Sequence, residues 1–238
     1  MKKYITKLIV GLIAITSVSF SQTVSATAGF ESDYVFRGVA GGTNVGTSEV
    51  TVNLPSKTSL TVLGLWNFDN LNTTVRELDV ALTQGYTIDK ATTLKVGGVG
   101  YFYPKAAPAK GETNYSIEVF GSLAYDAFLS PTVAAGYDLN LRQVFAEGSL
   151  SQPINLFLLA KGFKLVPAAT LGWVGAKDAL PERRGPTVKD SYYYVTGKLD
   201  LVYEAKNVVV GAGYRHNYLN NSVTTNNSWL GGFVTVKF

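Results

Sequence analysis

From about residue 28 onward, apolar and polar residues alternate with period two along most of the chain, the spacing of β-strands rather than helices. In "TVRELDVALTQGY", Leu78, Val80, Leu82 and Tyr86 take one face, and Glu77, Asp79 and Thr83 the other. "YSIEVFGSLAYD" sets Tyr115, Ile117, Val119, Leu123 and Tyr125 against Ser116, Glu118, Ser122 and Asp126. "SYYYVTGKLDLVYE" sets Tyr193, Val195, Leu199, Leu201 and Tyr203 against Thr196, Lys198, Asp200 and Glu204. Segments of this kind predict about twelve strands, near 28–37, 47–54, 58–67, 74–86, 92–103, 113–126, 131–138, 143–153, 163–176, 190–204, 207–218 and 228–238. The stretch 152–165 fits least well, because Pro153 interrupts it and alternation fails through "LFLLA".

Long alternating strands suit either a soluble barrel, with its apolar face inside, or a transmembrane barrel, with its apolar face toward lipid. Three features favour the transmembrane form. The segments run to about ten residues or more, where strands of five or six are usual in soluble sheets. Aromatic residues gather at the strand ends, as in an interfacial girdle. The first residues read as an export signal. "MKKYITK" is a charged leader, and Leu8 to Phe20 is an apolar run of 13 residues. A membrane helix needs about 20, so the run suits a signal core. Small residues in "TVSATA" suggest cleavage after Ala26 or Ala28. The expectation is a signal peptide over 1–26 and one domain over 27–238: an all-β, antiparallel up-and-down transmembrane barrel.

Connections agree with that topology. Turns such as "IDKA" and "EAKN" are short, while "AGGTNVG", "PKAAPAKGE", "AKDALPERRGPTVK" and "NNSVTTNN" are longer. Outer-membrane barrels pair short periplasmic turns with long external loops. The chain ends "SWLGGFVTVKF", alternating apolar and polar to a bare aromatic. This ending resembles the C-terminal signal of bacterial outer-membrane barrels, with Val234, Val236 and Phe238 as its apolar positions. The resemblance implies recognition by the barrel-assembly machinery and insertion among outer-membrane lipid and lipopolysaccharide.

Composition narrows the chemistry. Hydrophobic residues make up 46% of the chain and charged residues 16%, against roughly 25% charged in soluble domains. There is no cysteine, hence no disulfide or thiol chemistry. Of the 21 Lys and Arg, Lys2, Lys3 and Lys7 sit in the leader; without them 18 bases face 17 acids. No basic stripe exists to bind nucleic acid. The one histidine, His216, falls on the lipid side near the outer rim, with Val208, Val210 and Tyr214. Its ordinary reading is an interfacial histidine; in the enzymatic alternative, a lipid-modifying barrel, it would serve as a nucleophile's general base, with a serine and an acid in reach. No G-x-S-x-G motif accompanies it. No catalytic, metal or cofactor site is assigned.

The polar face supplies the candidate site instead. Alternation turns Glu31, Asp33, Arg37, Glu49, Glu77, Asp79, Lys95, Glu118, Glu147, Lys198, Asp200 and Arg215 toward the lumen, with Lys237 beside the terminus. On the first strand Tyr34 and Phe36 take the lipid side, which aims Arg37 inward toward Glu49 or Glu77. Unpaired charges in an enclosed space are costly unless hydrated. Eight acids and five bases therefore make either a paired network plugging a narrow lumen or a hydrated, charge-selective pore. Near balance of charge favours the plug. A non-enzymatic barrel, a narrow porin-like channel or a structural component, is the leading function. A soluble periplasmic barrel holding an apolar ligand, with the alternation inverted, is the third reading. Arg183 and Arg184 in "PERRGP" are candidate contacts to lipopolysaccharide.

One motif adds a family. "SDYVFRG", Ser32 to Gly38, resembles the opening motif of a proteobacterial family of exported proteins of unknown function, Gcw_chp, with Val39-Ala40 where Ile-Ser is usual. "YFYP" at 101–104 and "SIEVFGSLAYDAFLSPTVAAGYD" at 116–138 fit it loosely. The resemblance implies an outer-membrane barrel and brings no catalytic residues.

Overall fold

Hydrogen bonding between neighbouring strands, closed into a ring, builds the whole molecule. A computed structural model describes residues 22–68, 74–104, 114–156, 158, 161–176, 191–220 and 226–238. Its strands are β1 (Thr23–Phe36), β2 (Val39–Asn53), β3 (Thr58–Asn67), β4 (Thr74–Thr87), β5 (Thr92–Phe102), β6 (Tyr115–Tyr125), β7 (Thr132–Asp138), β8 (Gln143–Ser151), β9 (Ile154–Asn155), β10 (Phe163–Ala176), β11 (Tyr192–Glu204), β12 (Val208–Leu219) and β13 (Asn227–Lys237). Each long strand pairs antiparallel with its sequence neighbour, and β1 pairs with β13 to close the barrel. The stretch 1–21, Arg183 and Arg184, and most of the longer external loops lie outside the described residues.

The doubtful region around Pro153 resolves into one interrupted strand. Ser151 faces Ala168, and Ile154 and Asn155 face Leu165 and Lys164 in the same register. β8 and β9 thus form a single wall strand, broken where proline has no N–H to give. Gln152 N–H still reaches the Pro167 carbonyl at 3.1 Å. The wall therefore has twelve strands.

The apolar face points outward. Leu82, Leu171 and Leu230 are 57–63% exposed on that face. Tyr86, Tyr125 and Tyr203 ring the end with the short turns, and Tyr193, Tyr214 and Tyr218 the opposite end. Such belts sit at the two membrane–water interfaces. Inward lie Glu77, Asp79, Glu118, Asp200 and Arg215, all buried. This orientation overturns the soluble-barrel alternative, which required a charged exterior and an apolar interior.

At the periplasmic end the first and last strands meet. Val234 and Val236 sit opposite Ala28 and Ala26, and Phe238 N–H donates to the Val24 carbonyl at 2.8 Å. The Phe238 ring projects outward, 62% exposed. β1 begins earlier than the alternation suggested. Ser25 to Ala28 pair with Val234 to Lys237, so both anticipated cleavage positions fall inside the wall. Cutting after Ala26 would strip the closing seam of its first partners, and lipid has no hydrogen bonds to replace them.

Two outcomes are expected. The N-terminus of protein recovered from outer membranes, read by mass spectrometry, should begin at or before Thr23; Ser19 and Ser21 leave a small-residue cut ahead of Gln22. A start at Thr27 or Gly29 would contradict the seam. Deleting Phe238 should lower the amount inserted in cells, while the fraction that does insert keeps its fast migration in unheated detergent gels. Undiminished insertion would remove Phe238 from assembly.

Candidate functional site

The β1–β2 hairpin leaves the wall partway up. β1 pairs with β13 only as far as Glu31, and β2 pairs with β3 only from Val45. Between them, residues 32–44 pair with each other: Asp33 with Thr43, Tyr34 with Gly42, Val35 with Ala40 and Phe36 with Val39. The register skips Gly41, a bulge that bends the ribbon. Arg37 and Gly38 make the two-residue turn, with φ of 47° and 82°. Two left-handed residues in succession are the mark of a type I′ hairpin turn.

The ribbon crosses the lumen to the far wall. Val39 joins a buried cluster of Phe145, Val174, Tyr192, Tyr194 and Leu219, from β8, β10, β11 and β12. Asn217 on β12 donates to the Gly38 carbonyl at 2.9 Å. A Cβ at residue 38 would come within 2.6 Å of the Tyr194 Cβ and 3.0 Å of a Leu219 methyl, so only glycine fits there. "AGGTNVG", expected as an external loop, is therefore the returning strand of an inserted hairpin.

Arg37 is the latch of this plug. Its guanidinium forms a forked pair with Glu118, Nη1 to Oε2 at 2.6 Å and Nη2 to Oε1 at 2.8 Å. Nε lies 3.6 Å from Glu147. Its carbon sits 3.4 Å from the centre of the Phe145 ring, a cation–π contact. Tyr101 adds a hydroxyl to Glu118 at 3.3 Å, and the Tyr194 hydroxyl donates to Glu147. Arg37 thus reaches the lumen by a route the alternation did not contain, and its partners are Glu118 and Glu147 rather than Glu49 or Glu77. Tyr34 and Phe36 are corrected likewise. Both line a cavity with Arg37, and Phe36 meets Tyr101 edge-on with centroids 6.1 Å apart. A hairpin inside a barrel has no lipid side for them to take.

A second network ties the wall where the hairpin departs. Arg215 forms ion pairs with Asp200 at 2.7 Å and Glu31 at 3.4 Å, and Trp229 Nε1 donates to Glu31 at 2.8 Å. Lys198 stands 3.5 Å from Asp200. Elsewhere Glu49 accepts a bond from Thr51, and Lys95 and Lys237 are solvent-accessible. Asp33 lies on the departing ribbon, and Glu77 and Asp79 are buried on β4.

Sequence reasoning missed Asp138 and Arg76. Asp138 accepts the Ser116 hydroxyl, both carboxylate oxygens lying 2.6 Å from it, and caps the β7–β8 turn through the N–H groups of Asn140 and Leu141. Its inward parity with Ala134 and Gly136 was visible in the sequence. Arg76 occupies a bulge between Val75 and Glu77, which no alternation could place. The cavity between the hairpin and the external ends of the wall strands, lined by Arg37, Arg76, Glu77, Glu118 and Gln143 among others, measures about 50 Å³, room for a few waters.

Comparisons with known proteins agree with this geometry. The NanC porin superposes with a TM-score of 0.55 at 12% identity, covering 90% of this chain and 98% of that one. The KdgM porin, solved in complex with disordered oligogalacturonate, gives 0.57 at 9% identity over 91% and 99%. LpxR from Salmonella typhimurium gives 0.52 at 9% identity over 90% and 99%. At such identities these likenesses concern the fold. No curated protein matches the chain. The model of a bacterial family of unknown function, Gcw_chp, matches residues 16–229. The chain belongs to the Gcw_chp family, and its fold is a twelve-stranded barrel like those of the outer-membrane porins.

Proposed function

We propose that the protein is a narrow, cation-preferring channel whose outer mouth is held shut by its own first hairpin. The observation that carries this reading is the Arg37 latch. A hairpin meant only to fill space needs apolar packing. This one instead seats a single cation between two carboxylates of the opposite wall. The described inward face carries Glu31, Asp33, Glu49, Glu77, Asp79, Glu118, Asp138, Glu147, Asp200 and Glu204 against Arg37, Arg76, Lys95, Lys164, Lys198, Arg215 and Lys237. An excess of carboxylates favours passage of cations. Cleavage of the export signal, handling by the barrel-assembly machinery and contact with lipopolysaccharide belong to the same proposal.

The plug and the channel are separated by removing the latch. Arg37→Ala leaves Glu118 buried without its partner, a loss of about 3–5 kcal/mol when the hairpin stays in place. Withdrawal of the hairpin relieves that cost by hydrating Glu118. In planar bilayers the wild type should therefore conduct weakly, with a reversal potential set by cations. Arg37→Ala should conduct severalfold more and be more cation-selective. Gly38→Val, which cannot fit between Tyr194 and Leu219, should open the lumen in the same direction. A lower urea midpoint with unchanged conductance in both variants would make the hairpin a permanent plug and remove the channel reading.

A further inference from the structure

The outer face of the barrel carries an unusual polar group near its external rim. Outward positions along β12 and β13 are mostly apolar or glycine, among them Val210, Ala212, Leu230 and Val234. Close to the rim, His216 stands directly opposite Ser228. His216 Nδ1 lies 2.8 Å from Ser228 Oγ, and the Tyr214 hydroxyl donates to the same oxygen at 2.8 Å. Tyr214 uses one of that oxygen's two acceptor sites; in the imidazole tautomer that carries its proton on Nε2, Nδ1 accepts the serine's own hydrogen. Tyr214, Tyr218 and Tyr193 set the depth at the aromatic belt. There the ester links of membrane lipids lie, between head group and chain.

We infer that Ser228 and His216 form a nucleophile–base pair for hydrolysing acyl esters of lipids in the outer leaflet, independently of the lumen and of the channel reading. Nucleophile and base within hydrogen-bond reach are the minimum this chemistry requires. Ser228 Oγ attacks the ester carbonyl carbon while Nδ1 takes its proton. Tyr214, freed from Oγ as that oxygen is acylated, turns its hydroxyl to the developing oxyanion. The carbon–oxygen bond to the glycerol or sugar breaks, and the imidazolium returns the proton to the departing alkoxide. Water, deprotonated by the same nitrogen, then attacks the acyl carbon; its bond to Ser228 Oγ breaks, the imidazolium returns the proton to Oγ, and a fatty acid is released.

The test uses the full chain refolded in detergent and in vesicles, with unheated gel migration confirming a folded barrel for every variant. A fluorophosphonate probe should label the wild type on Ser228 and leave Ser228→Ala blank. Fatty acid should be released from phospholipid vesicles, from vesicles of lipid A, or from both, and the pattern names the lipid. His216→Gln should lower both labelling and release by roughly 10²–10⁴-fold. Tyr214→Phe should lower release by about 10²–10³-fold while still labelling. Equal release from wild type and Ser228→Ala, or no labelling and no release from either vesicle, overturns the proposal.

Discussion

Lipid offers no hydrogen bonds, so every backbone N–H and C=O in the wall must find its partner within the protein. That constraint explains more than the closure of β1 on β13. It also dictates how a hairpin can leave the wall. Residues 32–44 keep their ladder by pairing with one another, so the ribbon carries its satisfied groups inward with it. The wall left behind must be repaired. At the departure point, Leu230 N–H on β13 is answered by the Ser32 hydroxyl at 3.1 Å. On the other flank, Phe68 N–H takes the Asn44 carbonyl at 3.1 Å. Polar side chains and loop backbone replace the missing strand at both edges.

Alternation made most of the wall legible because lipid on one side and water on the other impose it residue by residue. Ten expected strands match the observed ones within two residues at both ends, the first two missing at one end each, and the lumen register of β4, β6 and β11 follows from the same parity. The twelve-strand count survived Pro153, since a missing N–H interrupts a ladder without shifting it. The failures share a cause. "SDYVFRGVAGG" still alternates in part, yet once the ribbon turns inward, alternation no longer distinguishes lipid from water. A rule about faces cannot report that both faces are inside. Nor could it name Glu118 and Glu147 as partners of Arg37, because they lie 81 and 110 positions along the chain and on the opposite wall. Arg76 was hidden for a smaller reason: a bulge breaks parity at one residue.

The buried charges do not act mainly as stabilisers. Setting Arg37 between two carboxylates costs the hydration of all three groups, and well-packed apolar side chains would serve stability as well or better. What the pairing supplies is position. A forked guanidinium–carboxylate contact fixes angle as well as distance. It therefore specifies where the hairpin tip lands on a wall that is otherwise a smooth lining of Val174, Phe145, Tyr192 and Tyr194. The apolar cluster holds the tip and the ion pair registers it. The type I′ turn makes both possible, since its two left-handed residues present Arg37 and Gly38 at the apex with no loop to fray.

Twelve strands lie between a barrel that side chains alone can fill and one wide enough for an aqueous channel. This chain divides the difference along its length. Its outer half is filled by the thirteen residues of the ribbon between Ser32 and Asn44, which supply the bulk the wall's own side chains lack. Toward the periplasm the lining falls to small hydroxyl residues, with Thr27 bonded to Thr235 and Thr51 to Thr61, both at 2.9 Å. Those pairs satisfy each other along the wall, and the inward-facing Lys95 and Lys237 are exposed at this end, Lys237 lying 3.6 Å from Glu204. The asymmetry follows from where the hairpin begins. The seam of β1 with β13 closes the ring over Ser25 to Glu31, at the periplasmic end, so the length of β1 free to leave the wall is its outer end. The plug sits at the external mouth because closure of the barrel leaves it nowhere else to form.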